Sequence, residues 1–286
     1  MEFINFFFYG CWNLCDRLCN RDQVIQSIFD ANKLKKFDFG ILGGDNHYPN
    51  SITKKYKWTD FFDGFSKLDK LEIPILGVLG NHDTSNKNKI KVQLNIHQIY
   101  YGIHLFHFHV QDHPNGKIRF IFINTSHIYE MKNPYKFYKF ICKYCIDQSK
   151  INFIVGHHPI FGFEKIIGTE NKTQYIHLPH FQKFCKLLHR KISMCSNLKI
   201  FYLCSDIHNF QINKISSINN PKIYFLVIIC GTGGGIPNHL DKCDLSDILF
   251  YKKICIKNLK KENAFGFLSV QIFDEKKIKF IYKKVC

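Results

Sequence analysis

Five short turns along the chain carry side chains that can bind metal ions. Asp, Asn, His and Tyr offer oxygen and nitrogen atoms that zinc, iron and manganese accept as ligands. One carboxylate can bridge two ions, and two ions about 3.5–4 Å apart can hold a phosphate group and ionise a water molecule. The pattern predicts a metal centre for phosphoryl chemistry, built from the turns GCWN (10–13), GDNHY (44–48), GNHD (80–83), GHHP (156–159) and SDIHN (205–209).

Each of these turns follows an apolar run of strand length. Such runs, ended by a glycine or a polar residue, predict buried strands. In open α/β sheets the ligand site lies outside the carboxyl ends of the strands, so the five turns are expected to converge. The predicted strands before them span residues 3–9, 37–42, 73–79, 152–155 and 198–203.

Predicted helices alternate with these strands, and further strands close the chain. This order predicts an α/β fold with a mixed sheet, or with two sheets stacked between helices. We expect one domain over residues 1–286, with a basic, polar loop over 252–262. The predicted helices span 22–36, 58–68, 134–147 and 180–193, and the further strands span 100–110, 117–124, 222–229, 265–273 and 277–282.

The ordered turns resemble those of a known enzyme family. GGDNHY, LGNHD and VGHHP, each at a predicted strand end, resemble the calcineurin-like metallophosphoesterases. The nearest branch is that of the purple, or tartrate-resistant, acid phosphatases, because Tyr48 stands where that branch has an iron ligand. HNFQ at 208–211, the glycine turn at 231–234 and the Gly266-Phe267 pair extend the resemblance over nearly the whole chain. The resemblance implies a four-layer αββα sandwich of two mixed β-sheets flanked by helices.

The resemblance also implies two metal ions (iron, zinc or manganese) and a role for each turn. Asp45 would bridge the ions and act in catalysis, and His82 would contact the phosphoryl oxygens or assist the leaving group. We call the two implied ligand sets the His157 site (Asp45, Asn81, His157 and Asp206) and the Tyr48 site (Asp45, Tyr48, His208 and Cys11).

Two turns depart from the family's sequences. Cys11 stands where the family has the Asp of GDWG, and Asn13 does not match the D-x-H alternative. Asp206 replaces the first His of GHDHN, and a carboxylate can also bind zinc or manganese. A thiolate is softer and must first lose its proton, so we interpret Cys11 as a small buried residue, with metal ligation as the alternative. The His157 site is therefore expected to be the more intact one, and the protein to hold two ions or only one.

Other residues of the turns have a structural interpretation. Tyr48 fits a metal ligand and a core aromatic equally well. His47 is interpreted as structural or as a support for a ligand, Trp12 as packing, and His158 as a residue that binds no ion. Asp16 is a conceivable substitute ligand, which nothing in the family supports.

The functional hypothesis is a metal-dependent phosphoesterase of the acid phosphatase kind, that is, a phosphoric monoester hydrolase. A metal-activated hydroxide would attack the phosphorus of a phosphorylated small molecule or protein, and His82 would help the leaving oxygen depart. Phosphodiesters and nucleotides stay open as substrates. The alternative is a catalytically impaired pseudophosphatase that acts as a protein-binding scaffold, since the loss of an Asp at Cys11 is the kind of change that would produce one.

The net charge and the cysteine content exclude few classes of protein function. The net charge is +17, but arginine, the residue that reads phosphates and guanines with a bidentate fork, occurs only at 17, 21, 119 and 190, so nucleic-acid binding is the weakest hypothesis. The 12 cysteines form no compact disulfide pattern and are interpreted as buried, reduced thiols. Cys11, Cys15 and Cys19 would share one face of a helix, and Cys142 and Cys145 form an isolated C-x-x-C.

The sequence predicts no transmembrane segment, because no apolar run reaches about 18 residues. Glu2 stands where a signal peptide needs basic residues, and the apolar residues 3–9 fit a first strand better. An intracellular, cytoplasmic location is expected, with a secretory route as the alternative.

Overall fold

The structure is a computed structural model that describes residues 3–14, 20–48, 58–85, 87–165, 173–174, 179–194, 198–235, 248–251, 254–275 and 277–285. The helices are α1 (Arg21–Leu34), α2 (Trp58–Asp69), α3 (Lys87–Leu94), α4 (Thr125–Glu130), α5 (Pro134–Phe140) and α6 (Pro179–Ser193), with a 3₁₀ helix at Ile96–Gln98 and a π-helix at Ile141–Cys145. The strands are β1 (Ile4–Tyr9), β2 (Phe39–Leu42), β3 (Ile75–Val78), β4 (Ile103–Phe106), β5 (Phe108–Asp112), β6 (Ile118–Ile123), β7 (Ile151–Val155), β8 (Glu164–Lys165), β9 (Thr173–Gln174), β10 (Lys199–Cys204), β11 (Phe210–Ser217), β12 (Tyr224–Cys230), β13 (Ile248–Tyr251), β14 (Ile254–Glu262), β15 (Gly266–Ile272) and β16 (Ile278–Lys284).

Two large mixed sheets contain most of these strands. The first has the order β16-β15-β1-β2-β3-β4, in which β1 to β4 are parallel and β15 is antiparallel to both neighbours. The second has the order β13-β14-β11-β12-β10-β7-β6-β5, in which β6, β7, β10 and β12 are parallel. Parallel strands end at the same edge of a sheet, so each sheet brings several strand ends together.

Aromatic rings fill the space between the two sheets. Phe6 of β1 meets Phe120 of β6 and Phe153 of β7 edge to face, with ring centroids 5.7 and 5.5 Å apart. Burying a phenyl ring contributes about 1.5–3 kcal/mol, so this layer is a main source of stability.

Helices cover the outer face of each sheet. Helix α1 buries Val24 and Ile28 and lies beside β15 of the first sheet. Outside the second sheet, Tyr138 of α5 stacks on Phe184 of α6 with ring centroids 4.5 Å apart. The layers are helix, sheet, sheet and helix, so the predicted αββα fold class is confirmed.

The single strand predicted over 100–110 is wrong. Strand β4 pairs with β3 in the first sheet, and β5 pairs with β6 in the second. The chain changes sheets at His107, whose carbonyl accepts the backbone N–H of Asn124 at 2.7 Å. Apolar residues continue through both strands, which favoured a single strand, although their alternation changes phase between Leu105 and Phe106.

The basic, polar loop predicted over 252–262 is also wrong. Strand β14 occupies most of this range and pairs with β11 and β13. Ile256 is buried, whereas Lys257, Leu259 and Lys260 are exposed. An antiparallel strand tolerates lysines where its side chains reach water, and this explains why the charge misled the prediction.

Smaller differences concern element ends and short elements. The helix predicted over 134–147 is α5 followed by the π-helix, and α3, α4, β11 and β13 were not predicted. Cys15, Asp16 and Cys19 lie outside the described residues. Within the described ranges, no helix combines the length and the apolar character needed to cross a bilayer.

Candidate metal centre

The five turns meet where the two sheets come together. In the first sheet, the backbone N–H of Cys11 donates to the carbonyl of Gly44 at 3.0 Å. In the second, the N–H of Ser205 donates to the carbonyl of His157 at 2.9 Å. Gly10 joins the sheets, because its N–H donates to the carbonyl of Cys230 at 2.9 Å. The predicted convergence of strand ends is therefore present in the fold.

Three of the turns bend sharply through the left-handed backbone region. Cys11, Asp45 and Asp206 have φ angles of 53°, 53° and 48°. Glu72 is the one other non-glycine residue with positive φ in the described part of the chain. Asp enters this region several-fold more readily than most residues, and Cys does not. The first turn thus keeps a backbone that suits Asp, although Cys11 occupies it.

Residues of the His157 site converge on one atom. The Nε2 atom of His157 lies 2.9 Å from Oδ1 of Asn81, 3.3 Å from Oδ1 of Asp45 and 3.4 Å from Oδ1 of Asp206. The Nδ1 atom lies 2.9 Å from the carbonyl oxygen of Gly43, which can only accept, so Nδ1–H is the donor. A carbonyl that holds the other ring nitrogen is the usual support of a metal-binding histidine. Two carboxylates, an amide oxygen and an imidazole nitrogen fit zinc, iron or manganese.

Residues of the Tyr48 site also lie together. The Tyr48 hydroxyl donates to Oδ2 of Asp45 at 2.8 Å and lies 3.3 Å from Nε2 of His208. The Sγ atom of Cys11 lies within 4.8 Å of ligand atoms of Asp45 and His157. Asp45 therefore directs Oδ1 to the His157 site and Oδ2 to the Tyr48 site, the arrangement that a bridging carboxylate needs.

Protonation distinguishes the two sites. Burial, and then the negative charge of Asp45, raises the pKa of the Cys11 thiol and of the Tyr48 hydroxyl, so both hold their protons. Burial alone would lower the pKa of His157, but the carboxylates of Asp45 and Asp206 raise it above its ordinary value. An ion at the His157 site displaces one imidazole proton, whereas ligation by both Cys11 and Tyr48 requires the loss of two tightly held protons. The donor set of the His157 site is thus the better fit.

His82 lies at the exposed side of the centre. Its ring centroid is 4.5 Å from that of Tyr48, and its backbone N–H donates to Oδ1 of Asp45 at 3.0 Å. Its side chain is exposed, as is that of Asn81. This position lets the imidazole reach a molecule that approaches Asp45 from solvent.

Other histidines and amides near the turns are held in different ways. Asn13 points away from the centre, because its amide donates to the carbonyl of Phe61 at 3.1 Å and its oxygen accepts from Arg21 at 3.0 Å. His47 stacks on Trp58 with ring centroids 6.0 Å apart, and burial lowers its pKa to about 4. The position of His47 agrees with its structural interpretation, and the contacts of Asn13 agree with its mismatch to the D-x-H alternative.

His158 lies closer to the centre than the sequence suggested. One of its ring nitrogens lies within 4.8 Å of ligand atoms of His157 and Asp206. Its Nδ1 is 2.8 Å from the Thr125 hydroxyl, which also accepts the backbone N–H groups of His157 and His158 at 3.2 and 3.0 Å. His158 and Thr125 thus fix the fourth turn beside the His157 site.

Asp83 is a supporting residue that the sequence reasoning missed. Its buried carboxylate accepts the backbone N–H groups of Gly80, Asn46 and His47 at 2.7, 3.0 and 3.0 Å, and the Asn46 amide at 3.0 Å. Burial and the charge of Asp45 raise its pKa to about 7. Asp83 ties the second turn to the third and so fixes Asp45 relative to Asn81. The only sequence signal for this supporting role was the position of Asp83 at the end of the GNHD turn.

Solved structures share this fold at low sequence identity. GAP50, the anchor in the inner membrane complex of Plasmodium, matches with a TM-score of 0.61 and 13% identity over 100% of this chain and 85% of that chain. PhoD matches with a TM-score of 0.60 and 11% identity over 95% of this chain and 64% of that chain. A dimetal phosphatase from Danio rerio matches with a TM-score of 0.59 and 7% identity over 99% of this chain and 96% of that chain.

These similarities show the calcineurin-like phosphoesterase fold. The predicted resemblance to the purple acid phosphatase-like branch of the metallophosphoesterases is confirmed at the level of the fold. No known protein family matches the sequence, and no curated protein matches it either. The assignments of single site residues stay predictions.

Proposed function

We propose that this protein is a metal-dependent phosphoesterase that hydrolyses phosphate monoesters. One observation carries the proposal: donor atoms of Asn81, Asp45 and Asp206 lie within 3.4 Å of Nε2 of His157, while the second oxygen of Asp45 faces Tyr48 and His208. The dimetal phosphatase with the same fold supports the same chemistry.

Each residue has a task in this proposal. The residues of the His157 and Tyr48 sites would hold the ions, which when bound would supply charge stabilisation for the phosphoryl oxygens and a nucleophile at neutral pH. Asp45 holds the two sites at a fixed separation through its two oxygens. His82, exposed beside Tyr48, binds the phosphoryl oxygens and gives a proton from its ring to the leaving oxygen. Zinc, iron and manganese all suit the donor atoms.

The test uses the zinc-, iron- or manganese-loaded protein with two aryl phosphates. We expect hydrolysis of 4-nitrophenyl phosphate to exceed that of bis(4-nitrophenyl) phosphate at least tenfold in kcat/KM. Asp45→Asn should lower the monoester activity roughly 100-fold or more, the range found when a group that stabilises the transition state is removed. Asp30→Asn, at an exposed carboxylate of α1, should leave it unchanged. A preference for the diester would overturn the monoester assignment.

A second candidate function is that of a protein-binding scaffold with impaired catalysis. The Tyr48 site favours it, because Cys11 and Tyr48 keep their protons and Asn13 is turned away from the centre. GAP50, which shares the fold, is an anchor. Bound metal with no turnover of either aryl phosphate is the result that would select this alternative.

Two broader expectations complete the proposal. Residues 1–286 would form one domain, with the metal centre where its two sheets meet. Because GAP50 is the anchor in an inner membrane complex, the fold does not determine a location, and the intracellular, cytoplasmic location stays a prediction.

A further inference from the structure

A cluster of aromatic rings is exposed on α5 and on the edge strand β5, away from the ligand residues. Phe108, Phe140 and Tyr144 are 39%, 43% and 62% exposed. Their rings join through Phe137, with centroid distances of 5.5 Å (Phe108–Phe137), 6.5 Å (Phe137–Phe140) and 5.5 Å (Phe140–Tyr144). Soluble proteins rarely group exposed aromatic residues in this way, and contiguous apolar patches mark interaction sites.

Lysines border this aromatic cluster. Lys132, Lys136, Lys139 and Lys143 are all exposed: Lys136 and Lys139 lie on α5, Lys143 lies on the π-helix that follows it, and Lys132 lies just before α5. The ammonium groups of Lys139 and Lys143 lie 4.7 Å from the ring centroids of Tyr135 and Tyr144. We call these lysines and the exposed rings of Phe108, Phe140 and Tyr144 the α5 surface.

The α5 surface has a strong positive charge for its size. Residues 131–146 contain four lysines and no Asp or Glu. Glu130 directly precedes this segment and Asp147 directly follows it, and the Asp147 carboxylate faces Arg119 and Lys150 at 3.7 and 3.8 Å. The charge of the lysines is therefore not balanced within their own segment, and a partner of negative charge complements it.

The surface is held firmly by the face of the helix opposite to it. Tyr138 stacks on Phe184 of α6, and Ile141, Cys142 and Cys145 are buried in the layer between the helices and the second sheet. The exposed rings therefore lie outside the packed core, and the buried face of the helix keeps them at the surface.

A peptide strand added to β5 fits this surface poorly. The carbonyl of His107 accepts the backbone N–H of Asn124, and the N–H of His113 donates to the carbonyl of Ile118. Because hydrogen-bonded and non-hydrogen-bonded pairs alternate along an antiparallel ladder, only three residues of β5 direct their backbone N–H and C=O groups away from β6. One of them is Asp112, whose carboxylate is already paired with Arg119 and Lys150 at 2.7 and 2.6 Å. Exposed rings bordered by lysines instead match the interface of a bilayer, where aromatic rings enter the headgroup layer and lysines meet anionic lipids.

We infer that the α5 surface docks the protein on an anionic membrane surface, with Phe140 and Tyr144 entering the headgroup layer and the four lysines contacting acidic lipids. This attachment is peripheral and reversible. It does not depend on the proposed hydrolysis, because none of its residues belongs to the metal centre.

The first test measures sedimentation of the full chain with vesicles. We expect binding to vesicles of 70% phosphatidylcholine and 30% phosphatidylserine to exceed binding to pure phosphatidylcholine at least tenfold. The triple substitution K136Q/K139Q/K143Q should weaken it more than tenfold, because each lysine near an anionic surface contributes about a factor of five. The double substitution Phe140→Ser/Tyr144→Ser should also weaken it at least fivefold.

Matched controls separate this surface from the general charge of the protein. K279Q/K283Q/K284Q on β16 removes the same charge, and Tyr101→Ser/Tyr224→Ser removes two other exposed rings. Both should change binding less than twofold. An equal loss with K279Q/K283Q/K284Q would overturn the inference, because attraction to the whole basic surface would then explain binding.

A second measurement tests ring insertion. The Tyr144→Trp variant should show a blue shift of its emission with the anionic vesicles and none with soluble poly-glutamate. No vesicle binding, or binding to poly-glutamate without binding to vesicles, would overturn the inference, and the latter would assign the surface to an acidic protein. Unchanged thermal unfolding of each variant shows that the fold is intact.

Discussion

The Nε2 atom of His157 lies 3.3 Å from Oδ1 of Asp45, although the two residues follow strands of different sheets. Asp45 follows β2 of the first sheet, and His157 follows β7 of the second. The candidate centre is therefore formed only where the two sheets meet, and either sheet alone contains part of the ligand set.

The two candidate sites should differ in metal affinity. Asp206→Asn removes a charged oxygen that faces Nε2 of His157, so we expect it to weaken binding of the first zinc ion at least tenfold. Cys11→Ala should change this affinity less than threefold, because burial and the charge of Asp45 raise the pKa of its thiol, and a protonated thiol is a poor metal ligand. Calorimetric titration of the metal-free protein measures both. A larger effect of Cys11→Ala would reverse the order of the sites.

Cys11→Asp should have opposite effects with and without metal. The left-handed backbone at Cys11 suits Asp, but the new carboxylate would lie beside that of Asp45 and repel it. We expect the Tm to fall by about 2–4 °C in chelator, the shift that about 1 kcal/mol produces in a chain of this size. With zinc the Tm should rise by a similar amount. A Tm that falls in both conditions would show that the first turn cannot hold an ion.

Gly10→Ala should disturb the centre without touching a ligand. A Cβ at Gly10, which follows β1, would overlap the side chain of Ser205, which follows β10. We expect overpacking to cost about 1–3 kcal/mol of unfolding free energy and to weaken zinc binding. Gly102→Ala is the control, because its nearest atom would lie at an ordinary 3.6 Å. Denaturant unfolding measures the free energy, and equal effects of the two substitutions would contradict the argument.

His189 should make the protein less stable in acid. Neither ring nitrogen has a hydrogen-bond partner among the described residues, and burial lowers its pKa to about 4. His189 binds a proton near pH 6.5 in the unfolded chain and does not in the folded chain. It therefore leaves the free energy of unfolding unchanged above that pH and lowers it increasingly as the pH falls towards 4. The loss reaches about 3 kcal/mol at 1.36 kcal/mol per pH unit.

His189→Phe tests this directly, because a phenyl ring can keep the contact with Phe225, whose centroid lies 5.3 Å away. The variant should lose less stability than the unsubstituted protein between pH 6.5 and pH 4.5, as followed by urea unfolding. Parallel pH profiles for the two proteins would show that another group controls the acid sensitivity.

The sequence predicted the fold class by two routes. Asp45, Asn81, His157 and Asp206 each follow a parallel strand, and the carboxyl ends of parallel strands share an edge within one sheet. The alternation of strands and helices predicted a mixed sheet or two stacked sheets with these turns at the strand ends, and the resemblance of the ordered turns to the calcineurin-like metallophosphoesterases implied the four-layer αββα sandwich.

The sequence was insufficient where contacts between distant residues set the direction of a side chain or the path of the chain. Asn13 is turned away by Arg21 and by the carbonyl of Phe61, residues 8 and 48 positions further along the chain. The change of sheet at His107 leaves the apolar run continuous and shows only as a change of phase between Leu105 and Phe106. Asp83 shows its supporting role only when the second and third turns are placed side by side.

The division of the ligands between two sheets also affects the order of events in folding. A partly folded chain with only one sheet in place holds either Asp45 and Asn81 or His157 and Asp206, and neither pair makes a complete donor set. An ion therefore recognises the chain only after the sheets have docked. A ligand that binds the docked native state, and not the transition state for folding, slows unfolding and leaves the folding rate unchanged. Bound metal would thus lengthen the lifetime of the native protein and leave the rate of folding unchanged.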